Sequence, residues 1–198
     1  MEINKEITME EKFQPYIKIL KDSMSSYRWE HSLSVAETAK ELARFWGADL
    51  EKAWLAGILH DFAREFPEDQ LIRLALEHGL SVLEAERANS VVLHAPVGAI
   101  LVHEKFGIKD PEILSAIAKH TVGGISLTLL DKIIFLADMI EAGRNWPGVE
   151  KLRSMVYQDL DQTLKEALEG TIKFLKEKGR IIHPHTLATY SNLQDNDK

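Results

Sequence analysis

A histidine and an aspartate, His60 and Asp61, lie side by side at the end of an apolar helical stretch. Burying an imidazole and a carboxylate together costs free energy unless a partner satisfies both groups. A divalent metal ion can bind neutral imidazole nitrogen and carboxylate oxygen at once. The chain has no cysteine. Thiolate catalysis and cysteine-ligated metal sites are therefore excluded, and any metal chemistry depends on His, Asp and Glu.

Further histidines and an aspartate occur at helix ends or inside apolar helices, where the pattern predicts burial. Taken alone, each is more often a structural or capping group than a metal ligand. Their joint order along the chain is what indicates a metal site. The candidate set is His31, His60, Asp61, His94, His120 and Asp138. By contrast, His78 and His103 lie beside charged residues, and we expect them at the surface.

Helices must position these candidates, because no stretch shows the apolar–polar alternation of a half-buried strand. Asp49, Ser81 and Ser126 are the predicted N-terminal caps. The tail from residue 179 to 198 is predicted to be extended and polar. The predicted helices cover about residues 15–24, 29–46, 50–63, 67–79, a short stretch after residue 81, 95–106, 111–120, 127–141, and one or two helices within 149–178.

Composition indicates one all-α domain. The chain has 198 residues, of which 45% are hydrophobic, enough for a sizeable core. The predicted organisation is an N-terminal extension at 1–14, the domain at 15–186 and a C-terminal tail at 187–198. The net charge of −7 disfavours a nucleic-acid polymer as partner. With neither a long apolar run nor a secretory signal in the sequence, we expect no membrane association and a cytoplasmic location.

Several motifs around the candidate residues resemble those of a known family. They are Arg28-Trp29-Glu30-His31-Ser32-Leu33, Leu55-Ala56-Gly57-Ile58-Leu59-His60-Asp61, Leu93-His94-Ala95-Pro96-Val97-Gly98-Ala99, Ala118-Lys119-His120-Thr121, and the run from Asp131 through Leu136-Ala137-Asp138 to Gly143-Arg144 and Pro147-Gly148-Val149. They are similar to the HD superfamily of metal-dependent phosphohydrolases. The closer resemblance is to its YqeK family of symmetrical bis(5'-nucleosyl)-tetraphosphatases, over about residues 27–186. It implies a single HD-domain helical bundle of about 8–10 helices.

The same resemblance implies a pair of metal ions. The implied ligands are His31, His60, Asp61 and Asp138 for one metal, and His94 and His120 for the second, with Asp61 bridging. A carboxylate can bridge because it has two oxygens, whereas an imidazole presents one free lone pair. The resemblance favours iron, and nitrogen–oxygen ligation is also compatible with Mn, Ni, Co or Zn. The implied reaction is cleavage of diadenosine tetraphosphate to two ADP by a metal-bridging hydroxide.

A long polyphosphate also needs cations beyond the metals. Arg64 and Arg144 are the candidates for phosphate binding, since an arginine can bind phosphate oxygens in a bidentate way. With Asp61 they form the predicted catalytic set. Lys132 is a weaker candidate for substrate binding, and an exposed lysine is the alternative. Trp146 could stack on a base or simply pack against the core.

Two other functions stay open at this point. One is an HD phosphatase or phosphodiesterase that acts on mononucleotides or cyclic nucleotides. The other is a non-catalytic regulatory module that binds metal or nucleotide. For the preferred interpretation the partner is a dinucleoside polyphosphate, and a homodimer is compatible with it.

Overall fold

The computed structural model describes residues 8–195, and the predicted all-α fold is confirmed there. Within that range the chain has no β-strand, and one 3-10 helix covers Ser90–Leu93. The twelve α-helices of residues 8–195 exceed the expected number because α1 lies in the predicted extension and α12 lies mostly in the predicted tail. The helices are α1 (Met9–Lys12), α2 (Gln14–Ser23), α3 (Ser26–Trp46), α4 (Leu50–Leu59), α5 (Glu68–Glu77), α6 (Glu84–Ala88), α7 (His94–Phe106), α8 (Pro111–Lys119), α9 (Leu129–Ile140), α10 (Val149–Met155), α11 (Leu160–Glu177) and α12 (Pro184–Asp195).

Helix caps explain where several of these helices begin. Asp49 accepts hydrogen bonds from two backbone N–H groups in the first turn of α4, as predicted. The predicted cap at Ser126 is wrong, because α9 begins after Thr128. Thr128 Oγ1 accepts from the Asp131 N–H at 3.1 Å, and the Asp131 carboxylate accepts from the Thr128 N–H at 2.9 Å. This reciprocal pair satisfies two backbone donors of the helix end.

The predicted capping box at Ser81 is also wrong. α6 begins at Glu84, after Leu83, whose N–H donates to the Glu86 carboxylate at 2.7 Å. α4 ends at Leu59 rather than near residue 63. Beyond it the N–H of residue 62 bonds the carbonyl of residue 59, and the N–H of residue 64 bonds that of residue 61. Such i to i−3 bonds tighten the chain into turns, which place the His-Asp pair just past the helix end.

α3 and α4 pack against each other at backbone distance in the middle of the bundle. A Cβ added at Gly57 of α4 would lie only 2.7 Å from the Ala36 Cα of α3. The core around this pair contains fully buried Trp54, Leu42, Ile58, Ile117 and Leu136. Burial of each such side chain contributes about 1.5–3 kcal/mol. The packed core thereby fixes how the ends of the surrounding helices meet.

The expectation of an extended tail is wrong for α12. Thr186, Thr189 and Leu193 face the body of the protein and are buried. Thr189 Oγ1 accepts from the Gly124 N–H at 2.9 Å, and Thr186 Oγ1 donates to the Val122 carbonyl at 3.1 Å. The polar helix α12 packs against the protein because its threonine hydroxyl groups form hydrogen bonds with the backbone of the facing loop. The domain boundaries at residues 15 and 186 stay predictions.

The N-terminal extension is described only from residue 8, so the prediction for residues 1–7 lies outside the described part. Phe13, which follows α1, stacks on Trp54 with ring centroids 5.6 Å apart. None of the helices in residues 8–195 combines the length and apolar character needed to cross a bilayer.

Candidate metal centre

Five helices bring the six candidate ligands together in space. His31 lies early in α3, His60 and Asp61 follow α4, His94 begins α7, His120 follows α8, and Asp138 lies in α9. The four histidines and Asp61 are buried, and the Asp138 side chain is 21% exposed. The residues are distant in sequence, so helix packing alone creates this cluster.

The two carboxylate oxygens of Asp61 face different histidine pairs. Oδ2 lies 3.6 Å from His31 Nε2 and 3.4 Å from His60 Nε2. Oδ1 lies 3.1 Å from His94 Nε2 and 3.7 Å from His120 Nε2. This placement is compatible with a carboxylate that is shared between two adjacent metal ions.

Asp138 completes the first half of the cluster. Its Oδ1 lies 3.0 Å from His31 Nε2 and 3.9 Å from His60 Nε2. The ligand atoms of His31, His60 and Asp138 all lie within 4.8 Å of one another. A second trio, His60, Asp61 and His120, meets the same limit. Nitrogen and oxygen donors at such spacing can surround a metal ion.

Backbone hydrogen bonds orient three of the imidazoles. His60, His94 and His120 each donate from Nδ1 to the backbone carbonyl three residues earlier, at 2.7 Å for His60 and His120. Because each histidine comes just after a helical turn, a free carbonyl of that turn lies within reach. A carbonyl only accepts, so Nδ1 carries the proton and Nε2 keeps its lone pair. Such outer hydrogen bonds are usual for metal-binding histidines.

The Nε2 atoms inside the cluster fit a metal ion. His60 Nε2 is buried and has no hydrogen-bond partner. His94 Nε2 and His120 Nε2 lie 3.0 Å apart, although both are lone-pair atoms in the tautomers just assigned. Burial lowers the pKa of His94, which disfavours an extra proton between the two rings. A bound cation would satisfy all three nitrogen atoms.

Both carboxylates of the cluster are ionised at neutral pH. Burial alone would raise the pKa of Asp61, yet this pKa lies well below its usual range, and the Arg28 guanidinium pairs with the ionised carboxylate. Burial likewise opposes ionisation of Asp138, yet the charge of the Arg144 guanidinium helps to hold the pKa of this carboxyl below its usual range. Ionised oxygens and neutral imidazoles are the forms that bind metals.

The structure adds two charged residues that the sequence patterns did not single out. Arg28 donates from Nη1 to Asp61 Oδ2, while its Nε is buried with no partner. Glu141 is buried and lies 3.2 Å from His31 Nδ1, which donates to it. Arg28 lies three residues before His31, and Glu141 lies three residues after Asp138. This i, i+3 spacing on a helix could have revealed both.

Arg144 lies at the edge of the cluster, as one of the candidate phosphate-binding cations. Its Nη2 donates to Asp138 Oδ1 and its Nε donates to the Asp138 carbonyl at 2.7 Å. Burial would lower the pKa of Arg144, but the charge of Asp138 and the hydrogen bond to it raise it. The side chain is still 31% exposed, so part of the guanidinium faces solvent.

The other two candidate cations differ in their surroundings. Arg64 follows Asp61 by one turn, and its N–H bonds the Asp61 carbonyl at 2.9 Å. Within residues 8–195 its half-buried side chain makes no hydrogen bond or ion pair. Lys132 forms an ion pair with Asp161 of α11 at 2.5 Å. Its role in substrate binding stays a prediction that these contacts do not favour.

The two histidines expected at the surface are exposed there. His78 bonds the Leu74 carbonyl through Nδ1 and Glu104 through Nε2, at 2.9 and 3.1 Å. His103 donates from Nδ1 to the Ile108 carbonyl at 2.8 Å. None of these partners belongs to the cluster.

Comparison with known proteins agrees with this geometry. A family profile described as HD domain matches residues 28–143. A symmetrical bis(5'-nucleosyl)-tetraphosphatase of Halalkalibacterium halodurans is 42% identical over 177 residues, which cover 89% of this chain and 94% of the relative. A protein of the same name from Bacillus subtilis is 37% identical over 87% of this chain and 92% of the relative.

A solved structure from Clostridium acetobutylicum has the same fold. It is described as a predicted HD superfamily hydrolase involved in NAD metabolism, with a TM-score of 0.91 and 35% identity. The match covers 93% of this chain and 97% of that one. The chain therefore belongs to the HD-domain family and, within it, to the family of the symmetrical bis(5'-nucleosyl)-tetraphosphatases.

Proposed function

We propose that this chain hydrolyses diadenosine tetraphosphate symmetrically to two ADP. The observation that carries the proposal is the Asp61 carboxylate, whose two oxygens face two separate buried histidine pairs. A cluster of this kind provides two adjacent metal sites, which suits phosphoryl chemistry. The names of the relatives support a dinucleoside tetraphosphate as the substrate.

In this proposal the six clustered residues hold two metal ions. His31, His60 and Asp138 would hold one ion, His94 and His120 would hold the other, and Asp61 would contribute to both sites. When bound, such a metal pair polarises a phosphoryl group and activates water at neutral pH. Iron is the metal that we propose, and the donor set is also compatible with Mn, Ni, Co or Zn.

The arginines around the cluster supply the remaining positive charge. Arg28 holds Asp61 in place through its ion pair. Arg144 is anchored to Asp138 and still partly exposed, so it can donate to a phosphate that lies off the metal pair. The Arg64 side chain has no hydrogen-bond or ion-pair partner in the described residues. It can therefore donate to a substrate phosphate that lies near Asp61.

Symmetrical cleavage follows if the central phosphates of the substrate lie on the cluster. Water adds its oxygen to one inner phosphorus, and the bond from this phosphorus to the central bridging oxygen breaks. The leaving ADP keeps that oxygen, and the proton balance is completed by the solvent. Cleavage at an outer phosphorus would instead give AMP and ATP.

Two other functions predict different behaviour. A phosphatase or phosphodiesterase for mononucleotides or cyclic nucleotides acts on a substrate with few phosphates. It would not need Arg64 and Arg144 to bind phosphates that lie off the metal pair. A non-catalytic regulatory module would bind nucleotide without turnover. A cytoplasmic location and a homodimer remain part of the proposal and are tested by fractionation and by solution mass measurement.

Product analysis tests the proposed reaction. Enzyme of measured metal content is incubated with diadenosine tetraphosphate, and the nucleotides are separated by chromatography. We expect ADP as the sole product and little turnover of mononucleotides. Products of AMP plus ATP, or faster turnover of a mononucleotide, would contradict the proposal.

Variants separate the metal ligands from the phosphate-binding cation. Asp61→Ala should lose both metal ions and all activity. Arg144→Ala should lower turnover by a factor equivalent to about 1.5–3 kcal/mol, the contribution of a hydrogen bond to a charged group. Because Arg144 also bonds Asp138, metal content is measured for the same samples. Lys132→Ala is the matched control and should leave turnover of the tetraphosphate nearly unchanged if its ion pair with Asp161 is its only role.

A further inference from the structure

A mostly apolar cavity of about 600 Å³ lies between helices α10 and α11 and the end of α9, the helix that carries Asp138. We call it the Trp146 pocket, and its wall includes Met139, Trp146, Pro147, Lys151, Thr171 and Phe174. Its volume falls within the roughly 300–1,000 Å³ that is usual for small-ligand sites. The metal cluster itself does not use any of these side chains.

The C-terminal end of α9 and the short loop after it connect the pocket wall to the metal centre along the chain. Met139 directly follows Asp138, and Trp146 Nε1 donates to the Met139 carbonyl at 3.1 Å. Arg144, which is anchored to Asp138, comes two residues before Trp146. Arg144 Nε and Trp146 Nε1 thus donate to consecutive backbone carbonyls of α9, those of Asp138 and Met139. These bonds hold the phosphate-binding guanidinium and the indole at the same end of α9.

Hydrogen bonds and a glycine hold this loop in one conformation. Arg153 donates to the carbonyls of Ile140, Glu141 and Arg144 at 2.6 to 2.9 Å. Gly148 has a φ of 103°, and a Cβ there would lie 3.2 Å from the Trp146 ring. The ring is thus oriented before any ligand binds, which reduces the entropic cost of binding.

The pocket wall has the chemistry of a nucleobase site. Phe174 on α11 is 51% exposed and contributes a large apolar surface to the same pocket wall as Trp146. Lys151 and Glu166, paired at 2.5 Å, add a donor and an acceptor for the edge of a base. Two cavities of similar volume on the α12 side have no Phe, Tyr or Trp in their walls. Aromatic side chains are the usual platforms on which bases stack.

We propose that the Trp146 pocket binds one nucleobase of the dinucleoside polyphosphate. The base lies against Trp146 and Phe174, and the attached phosphates run past Arg144 to the metal cluster. This inference rests on the proposed function, because it assigns a place to the nucleoside half of that substrate. Trp146 also packs against the hydrophobic core, so in this proposal it has both of the roles that the sequence left open: its indole N–H is anchored and its ring contributes to the pocket wall.

The test compares Phe174→Ala with Phe45→Ala in the metal-loaded enzyme. Phe45 is a matched control because it is 55% exposed, belongs to α3 and is not part of the pocket. We measure KM and kcat for diadenosine tetraphosphate, and binding of ADP and of inorganic tripolyphosphate. Phe174→Ala should weaken ADP binding and raise KM about 10-fold, equivalent to about 1.4 kcal/mol. Tripolyphosphate binding should not change, because this ligand has no base.

A second variant, in which phenylalanine replaces Trp146, keeps an aromatic ring at this position of the pocket wall. Trp146→Phe should retain ADP binding within a factor of about three. In the wild type, ADP binding should change the fluorescence of Trp146, and this contribution should be missing from the variant. Unchanged ADP binding in Phe174→Ala, or equal weakening of ADP and tripolyphosphate, would overturn the inference. If the wild type binds ADP through Phe174 but does not cleave the tetraphosphate, the proposed function fails and the base site stands.

Discussion

Gly57 is the position at which a single methyl group should disturb both the fold and the metal centre. A Cβ at this site would lie 2.7 Å from the Ala36 Cα and 3.0 Å from the Ala36 nitrogen, whereas an ordinary contact begins at 3.4 Å. Helices α3 and α4 must therefore separate by about 0.7 Å. The facing atoms belong to the backbone, so no side-chain rotation can relieve the contact.

Two opposing terms set the size of the effect in Gly57→Ala. Overpacking of a core costs about 1–3 kcal/mol. Alanine has a higher helix propensity than glycine, and this difference offsets up to about 1 kcal/mol of the loss in unfolding free energy. We expect a net loss of about 1–2 kcal/mol, which corresponds to a Tm lower by about 2–8 °C for a domain of this size.

The same displacement should reach the proposed metal ligands. The Gly57 carbonyl accepts the Nδ1–H of His60 at 2.7 Å, and His60 and Asp61 meet His31 across the α3–α4 contact. Functional sites tolerate displacements of only about 0.5 Å. We expect metal affinity to fall by about 10–100-fold, as for the loss of an outer hydrogen bond to a ligand.

The assay measures thermal unfolding and metal stoichiometry of Gly57→Ala beside Gly170→Ala. A Cβ at Gly170 of α11 would meet no atom within 4 Å. That control should therefore be as stable as the wild type or gain about 0.4–1 kcal/mol. A Gly57→Ala protein with wild-type Tm and wild-type metal content would refute the reasoning.

Three further predictions concern other parts of the molecule. His78→Gln and His103→Gln should each leave metal stoichiometry unchanged, and loss of one metal equivalent from either would show that it is a ligand. Ser25 caps α3 and bonds Glu65 through its hydroxyl at 2.5 Å and its N–H at 2.8 Å, so Ser25→Ala should cost about 1 kcal/mol in denaturant unfolding; an unchanged midpoint would contradict this. Burial lowers the pKa of His183 in the fold, so its neutral form contributes stability that is present above the unfolded pKa of about 6.5 and is lost as the pH falls below it. His183→Gln should therefore reduce the loss of Tm on acidification below pH ~6.5, and an identical pH profile would count against it.

Local sequence signals predicted the ends of helices correctly where a capping residue or a terminating glycine acts within one turn. Asp49 caps α4 and Gly47 ends α3 with a φ of 76°, as the sequence indicates. These signals failed at the start of α9, where Ser126 and Thr128 are both possible N-caps. Thr128 caps the helix because it has an acidic partner, Asp131, three residues later. α12 was missed because its stability depends on hydroxyl groups that bond a loop more than 60 residues away.

The sequence by itself indicated the chemistry of the candidate metal centre: six residues of ligating type, their order, and the helices that carry them. Only the tertiary structure decided how they meet. It is packing that turns one oxygen of Asp61 to His31 and His60 and the other to His94 and His120. The same packing brings Arg28 to Asp61. Periodicity and caps act over about four residues, whereas the contacts of Asp61 with His31, Arg28, His94 and His120 join residues 30 to 59 apart. Such contacts depend on how closely whole helices approach, and the glycine at residue 57 sets that distance for α3 and α4.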